Sequence, residues 1–470
     1  MSTTEQPAAP TRWTAQWKEL KAEVIDTGLC TGCSGCVVTC PHDVIGYEHE
    51  EGKYLPFHLE SELGPDNCVH GEKGCTTCTR ACPRYGAWEP SADMHLFGRV
   101  REPDEMAGIW QQLLLTRASD NMVHQMGQDG GFVSAMLIWL RENDYIDAAL
   151  VSGVEEDDAW KAKPVVVSTR EEILATAGSR YTYCANPLAL PEAKAAGHER
   201  LALVGMGCQT SSPPTMWDRR AGKVSKPFQF NIGLLCSKTF DDAIFTELFE
   251  AKYGLKKQDM VKMNIKGAFQ IWMKDGSYHE IDLKECHQWT RSGCLHCPDF
   301  AAEHADVSTG GIGEDNDWTL TIVRTDLGVE VIERMIADVG ADKIGAFIAE
   351  PILASGGVVV PPPGYHRRTF EVCKANDILY ISDEVVTAFG RLGHWFASEE
   401  VFGIKPDMIT CAKGITSGYL PLGACLISDR VMEQCADPDD PVLFSNGYTY
   451  SGHPVSCAAA LKNLEIMEDE

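Results

Sequence analysis

Cys30-Thr-Gly-Cys33-Ser-Gly-Cys36-Val-Val-Thr-Cys40-Pro41 decides how the first part of this 470-residue chain is read. Three cysteines two residues apart on a tight loop can wrap one corner of an iron–sulfur cubane, while the fourth, followed by proline, points away toward a second cluster. A second run follows as Cys68, Cys75, Cys78, Cys82 and Pro83, with a longer first gap. Paired runs of this kind exchange their last ligands, so the spacing assigns Cys30, Cys33, Cys36 and Cys82 to one cluster and Cys68, Cys75, Cys78 and Cys40 to the other. Zinc prefers paired C-x2-C halves over triplets. Disulfides need an oxidising compartment, for which the chain carries no export signal.

A third group of cysteines is scattered. Cys208 ends the apolar run LALVGMGC, Cys236 ends FNIGLLC, and Cys294 and Cys297 form a C-x2-C. Two strand ends and a loop delivering thiols can close a site across a sheet, yet strand-end cysteines are also ordinary core residues. Spacing alone leaves both readings open. Cys184 and Cys286 have no such company and read as packed thiols.

The length allows two to four domains, and a 44% hydrophobic composition is globular. A formal charge of −27 argues against binding nucleic acid or an anionic membrane surface and reads as a solvated acidic exterior. No apolar run approaches the ~18 residues of a membrane span; Phe132–Leu140 reads as a buried helix. The polar N-terminus MSTTEQPAAPTR reads as a disordered tail, with order expected from residue 24. Reduced, metal-binding cysteines without an export signal place the protein in the cytoplasm.

After Cys82 strand and helix patterns alternate, which predicts an α/β domain. Gly130 and Gly131 stand just before an apolar helix, where free N–H groups can meet an anion such as a dinucleotide pyrophosphate; a glycine pair there is also simply a turn. Strands are expected at DAALVSGV and PVVVST, helices at REEILATAG and FDDAIFTELFEAKYG, and a hairpin turned by Asp275-Gly276. Gly310, Gly311 and Gly313 in STGGIG allow close backbone approach to a ligand.

The order of ferredoxin module, glycine-to-helix loop, AGSRYTY, VGMGCQ, IGLLCS, GCLHCPDF and STGGIG resembles the beta-subunit family of coenzyme F-420 hydrogenases and dehydrogenases, over about residues 24 to 335. The resemblance implies a fold holding FAD beside a 4Fe–4S cluster on Cys208, Cys236, Cys294 and Cys297, and hydride exchange with the deazaflavin F-420. A 5-deazaflavin moves electrons only as a hydride pair, clusters take them singly, and FAD converts one into the other. No side-chain acid or base is expected for the hydride step. Ser179 and Arg180, with the basic group Arg219, Arg220 and Lys223, are candidates for the anionic parts of FAD or F-420, or else are plain surface residues. An electron-transfer protein partner is implied.

From about residue 336 the chain resembles class III (omega) aminotransferases. Asp383, closing ILYISD, matches the carboxylate that pairs with the pyridinium nitrogen of pyridoxal phosphate. Val385 matches the residue under the ring, Lys413 the Schiff-base lysine, and Thr449 the hydroxyl reaching the phosphate of a neighbouring subunit's cofactor. The phosphate-cradling loop and stacking aromatic of that family lie upstream, where this chain carries its cysteine-rich part, and the match stops at EIMEDE, short of the family's small domain. A fragment without transaminase activity is expected. The seam near ERMIADVGADKIGAF has no flexible linker and reads as a truncating, chimeric fusion.

The fold expected is therefore α/β in three parts after the tail of residues 1–23: a two-cluster ferredoxin-like module (24–90), a flavin-binding α/β domain (91–335), and a partial large domain of a pyridoxal-phosphate-dependent transferase (336–470). Working aminotransferase and non-catalytic electron conduit are the competing functions.

Overall fold

The computed structural model describes residues 13–48, 53–59, 62–155, 161–312, 315–340, 345–354, 358–435 and 449–469. The chain divides into two compact units, Met1–Ile332 and Glu333–Glu470, and the division falls inside the helix Asp326–Val339.

Order in the first unit begins before residue 24. Residues 1–12 of the expected tail lie outside the described residues, but a short helix covers Trp17–Leu20. Its two apolar side chains, three residues apart and so on one face, are buried in the same core as Cys36, Cys78 and Cys82. That burial outweighs the polar composition around it. Trp13 adds a hydrogen bond from Nε1 to the Thr79 hydroxyl (2.8 Å). Short helices Gly35–Val38 and Thr77–Ala81 carry Cys36 and Cys78, the third cysteine of each triplet, and a hairpin pairs β1 (Ile45–Glu48) with β2 (Leu55–His58).

The larger part of this unit is built on a seven-stranded sheet. Its strands are β3 (Gln112–Thr116), β4 (Ala148–Val154), β5 (Ala162–Val167), β6 (Leu201–Met206) and β7 (Phe228–Leu234). A separate antiparallel meander follows as β8 (Met260–Lys266), β9 (Ala268–Met273) and β10 (Tyr278–Asp282), with the expected turn between β9 and β10. The chain then returns to the large sheet as β11 (Val307–Ile312) and β12 (Asp315–Val323). The order is β3-β12-β11-β7-β6-β4-β5. The central four strands are parallel; β12 and β5 run opposite to them, and β3, antiparallel to β12, runs in their direction. Continuous burial along Leu201–Gly205 marks a strand covered on both faces. The expected buried helix is present as Phe132–Glu142.

The second unit holds a four-stranded sheet of β13 (Ala346–Ala349), β14 (Leu379–Asp383), β15 (Met408–Cys411) and β16 (Ala424–Ile427). The first three are parallel and β16 antiparallel. Its described core comprises two small clusters, one around Tyr380 and Cys373, the other around Cys411 and Ala460. Every residue of β16 is exposed. No described helix of the chain is long and apolar enough to cross a membrane.

Candidate cluster and cofactor sites

The twelve motif cysteines are all free thiols; four of them line one cavity, and the other eight lie near members of their own expected sets. One cavity is lined by Cys30, Cys33, Cys36 and Cys82, together with Thr31, Ser34 and Arg84. This is the crossed set that the spacing assigns. Burial drives the Cys33 thiol up to about 12 and Cys36 well above its ordinary value, with nearby Cys30, Cys33 and Cys82 adding to the push. Around Cys78, burial again dominates and raises the thiol to about 12, with Cys75, Cys40 and Cys68 as its charged neighbours. That second tetrad lies nearer the surface, since Cys40, Cys68 and Cys75 are only half-buried.

The third tetrad is assembled by the sheet. Cys208 and Cys236 follow β6 and β7, parallel neighbours in register at Met206 and Leu234, so both leave the C-terminal edge where open α/β sheets hold their ligands. Glycines let the later loop cross those ends: a Cβ on Gly207 would stand 2.1 Å from the Asp299 carboxylate, and one on Gly233 2.4 Å from the Ala302 Cβ. The Cys236 N–H donates to the Phe300 carbonyl (2.9 Å). Burial pushes Cys236 up to about 12, followed by the nearness of Cys294 and Cys297. Cys208 is raised well above its usual value by burial, then by Cys297, Cys33 and Cys294. Cys208 stands at the start of a short helix, Gly207–Thr210, not at the strand end itself. Cys184 and Cys286 are buried apart from these groups.

Buried thiols raised this far become thiolates only where cationic metal compensates them. Among the described residues no three His, Cys, Asp or Glu are gathered tightly enough for one metal ion; a cubane places each thiolate on its own iron and so holds its ligands further apart. A second observation concerns donors. Thr31 Oγ1, Ser34 Oγ, Arg84 Nε, Ser211 Oγ, Thr290 Oγ1 and Arg291 Nε are buried without a hydrogen-bond partner, and each lies within four residues of a tetrad cysteine. Buried donors normally find an acceptor, and cluster sulfurs accept such bonds. The residues present therefore fit iron–sulfur clusters.

The flavin candidates are arranged differently from their sequence reading. Gly131, at positive φ, caps the helix Phe132–Glu142. However, a Cβ on Gly130 would meet the Asp317 and Thr116 carbonyls at 2.9 and 3.1 Å, and one on Gly311 would meet the Asp129 carboxylate at 2.6 Å. These glycines make room for protein. Gly310 and Gly311 belong to β11 and not to a loop; Gly313 lies outside the described residues. Asp129 pairs with Lys266 (3.1 Å), and the Tyr181 hydroxyl and the Gln128 amide both donate to Asn264 Oδ1 (2.8 and 3.4 Å), so a polar group surrounds the glycine turn. Ser179 is exposed. Arg180 turns its terminal nitrogens to the carbonyls of residues 176–179, leaving Nε buried without a partner.

Arg219 is no surface cation. It is buried and donates to the carbonyls of Cys82 (2.8 Å), Tyr85 (2.8 Å) and Thr79 (3.3 Å), clamping the loop that carries Cys82. Arg220 is exposed, and the side chain of Lys223 lies outside the described residues.

In the second unit, Asp383 ends β14 in register with Thr410 of β15, and Lys413 follows β15, so both stand at the C-terminal edge of adjacent strands. Asp383 Oδ1 accepts the Val385 N–H (3.1 Å). Lys413 lines a cavity with Phe389, Arg391 and Gly414, which does not include Asp383 or Val385. Thr449 is exposed in a turn.

Family models match in the same order. A 4Fe-4S dicluster domain covers residues 29–87. The N-terminal and C-terminal parts of the coenzyme F-420 hydrogenase/dehydrogenase beta subunit cover 113–191 and 198–342. The coenzyme F-420 hydrogenase subunit beta of Methanothermobacter thermautotrophicus is 31% identical over 249 residues, 52% of this chain and 86% of that protein. The chain belongs to the coenzyme F-420 hydrogenase/dehydrogenase beta-subunit family.

To this family body is joined a class III aminotransferase match over residues 313–470. Residues 313–342 are thus claimed by both models, and the seam is an overlap. An uncharacterized aminotransferase of Sinorhizobium fredii is 49% identical over 140 residues and the putrescine–pyruvate aminotransferase of Pseudomonas aeruginosa 45% identical over 141, in each case 30% of this chain and 30% of the relative. The chain spans half or less of the length of the aminotransferases it matches. Within the family body, what sequence did not foresee is the set of partnerless donors and the role of Arg219 as a buried clamp; a hydroxyl beside a ligand cysteine was the one signal available.

Proposed function

We propose that the first unit is an iron–sulfur flavoprotein oxidoreductase that exchanges a hydride with coenzyme F-420 through FAD and passes single electrons through three 4Fe–4S clusters to or from a protein partner. The observation that carries this reading is the cavity lined by Cys30, Cys33, Cys36 and Cys82 with three partnerless donors, adjoining a further tetrad at the C-terminal edge of β6 and β7. The second tetrad, three of whose cysteines are half-buried, is the outlet toward the partner, as the resemblance to two-cluster ferredoxins suggests. For FAD, the residues that fit are the Gly131 helix start and Arg180, whose buried Nε–H lacks an acceptor that a phosphate oxygen would supply. When bound, FAD supplies the change between paired and single electrons. The chain's own residues orient and insulate: Cys33, Cys36 and Cys82 of the first tetrad are buried, and hydroxyl contacts such as Thr239 to Cys294 Sγ (3.3 Å) and Tyr183 to Cys208 Sγ (3.7 Å) tune the potential of the third.

Under the same proposal the protein works in the cytoplasm, and the second unit is not a working transaminase. Asp383 and Lys413 are present, but the chain spans only 30% of the length of these aminotransferases, and the resemblance implies that the phosphate cradle lies upstream of the part it matches. Anaerobic purification with assay of iron, sulfide, FAD and pyridoxal phosphate tests all of this. About twelve irons and one flavin per chain are expected from the ligand count; stoichiometric pyridoxal phosphate with little flavin would overturn it.

A further inference from the structure

Arg291 is 4% exposed, and no carboxylate among the described residues forms an ion pair with it. Its guanidinium lies over the Tyr183 ring at 3.8 Å and the Tyr54 ring at 5.3 Å. Two nitrogens donate to the carbonyls of Thr31 (3.1 Å) and Tyr54 (3.3 Å), and Nε is left without a partner. Thr31 stands between Cys30 and Gly32 in the first tetrad's loop. On the other side, the Arg291 carbonyl accepts the Cys294 N–H (2.9 Å), and Tyr183 reaches Cys208 Sγ (3.7 Å). One cation therefore touches the first tetrad's loop through its side chain and the third tetrad's loop through its backbone.

Burying a cation without an ion pair is strongly unfavourable unless anionic charge stands nearby. The ionisable groups that bear on it are the Tyr183 and Tyr47 phenols and the Cys294 and Cys208 thiols, and it bears in turn on Cys30; the phenols are neutral, so bound clusters are the anionic charge available to it. Asp241 is the acid that feels it, and burial holds that carboxyl above its usual range. Arg84 forms a second link: it lines the first cavity and donates to the His296 carbonyl between Cys294 and Cys297 (2.6 Å). Cys208 and Cys33, from different tetrads, are themselves close enough to interact.

We propose that Arg291 is a fixed positive charge shared by two cluster sites, Cys30–Cys33–Cys36–Cys82 and Cys208–Cys236–Cys294–Cys297, and that it raises the reduction potential of both as neighbouring stations on one electron path. Each transfer oxidises one cluster by one electron and reduces the other by one; the guanidinium keeps its protons throughout. Arg291 is in this sense a positioning residue. The inference rests on the cluster reading above.

The test is an anaerobic redox titration of the full chain, followed by electron paramagnetic resonance, in the wild type and in Arg291→Lys, Arg291→Met and Arg291→Gln. The neutral variants should show an about tenfold lower reduced-to-oxidised ratio at fixed ambient potential for two clusters, 59 mV for a one-electron couple. The cluster on Cys40, Cys68, Cys75 and Cys78 should be unmoved and Arg291→Lys should stay near wild type. Unmoved ratios, or equal shifts of all three clusters, overturn the proposal. If both neutral variants lose two clusters while Arg291→Lys keeps them, the charge is still what the site needs; loss in all three variants shows that shape matters and overturns it. A wild-type iron content of about eight in place of about twelve refutes the third cluster itself, before any variant is compared.

Discussion

Gly293 stands against the backbone of Cys30: a Cβ built on it would lie 2.1 Å from the Cys30 carbonyl oxygen and 2.9 Å from the Thr31 Cα. The loops of the first and third tetrads are packed back to back, with no room for a methyl group. Backbone on both sides means that neither can swing away. Gly293→Ala is expected to cost about 1–3 kcal/mol as an overpacking change and to spread both loops. Iron should fall from about twelve to about four per chain, the second cluster alone remaining. Retention of full iron would show that the two loops are independent.

The nearness of Cys82 to Cys30, Cys33 and Cys36 was legible because ligand spacing is local: eight cysteines within 53 positions (Cys30 to Cys82) carry the crossed reading. The third tetrad was half legible. Its cysteines follow apolar runs as core cysteines also do, and only the register of β6 with β7 carries Cys208 and Cys236 to the same sheet edge, where each comes close to Cys294 and Cys297. Arg219 and Arg291 were illegible as structural cations, since their partners lie over 100 residues away at Cys82 and Thr31; in sequence an arginine looks solvated until its contacts are known. The glycine turns were recognised, but what fills the space beside Gly130 and Gly311 is a strand backbone and Asp129, a tertiary fact. The buried Trp17 shows the opposite error, where polar neighbours hid one strong anchor.

Arg219→Met should loosen the Cys82 loop. The substitution keeps apolar bulk beside Trp13, over whose ring the guanidinium lies at 4.8 Å, but strips donors from the Cys82 and Tyr85 carbonyls. A buried acceptor left unsatisfied costs about 1–3 kcal/mol. Chemical denaturation should show a lower midpoint for the first unit, and iron analysis the loss of about four irons, one cluster, with Cys82 no longer held. An unchanged midpoint with all iron retained would remove the clamp.

Lys413→Ala tests the second unit from its own chemistry. A Schiff-base lysine gives an absorbance band that disappears with the lysine. Wild type incubated with pyridoxal phosphate is expected to show no stoichiometric band, and Lys413→Ala the same spectrum, with F-420 turnover equal in both. A band in the wild type that Lys413→Ala abolishes would restore transaminase chemistry to this unit.

His366 makes the second unit acid-sensitive. It is buried between the Pro351 carbonyl, which faces Nε2 at 2.9 Å, and the Tyr380 hydroxyl, which faces Nδ1 at 2.8 Å. A neutral ring satisfies both, with Nε2–H donating to the carbonyl and Nδ1 accepting from the phenol. Burial holds its pKa below the ordinary value. The unfolded chain therefore takes up this proton first, near pH 6.5, so the folded unit keeps its full stability above that pH and loses it as pH falls toward the lower folded value. Hydrogen exchange in peptides spanning residues 365–383, corrected for the intrinsic rate, should speed up between about pH 7 and pH 5.5, the window just around the free imidazole pKa. In His366→Gln the amide can still donate and accept but cannot titrate, so protection should start lower and stay flat over the same range. Equal pH dependence in both proteins would assign the acid sensitivity to other groups.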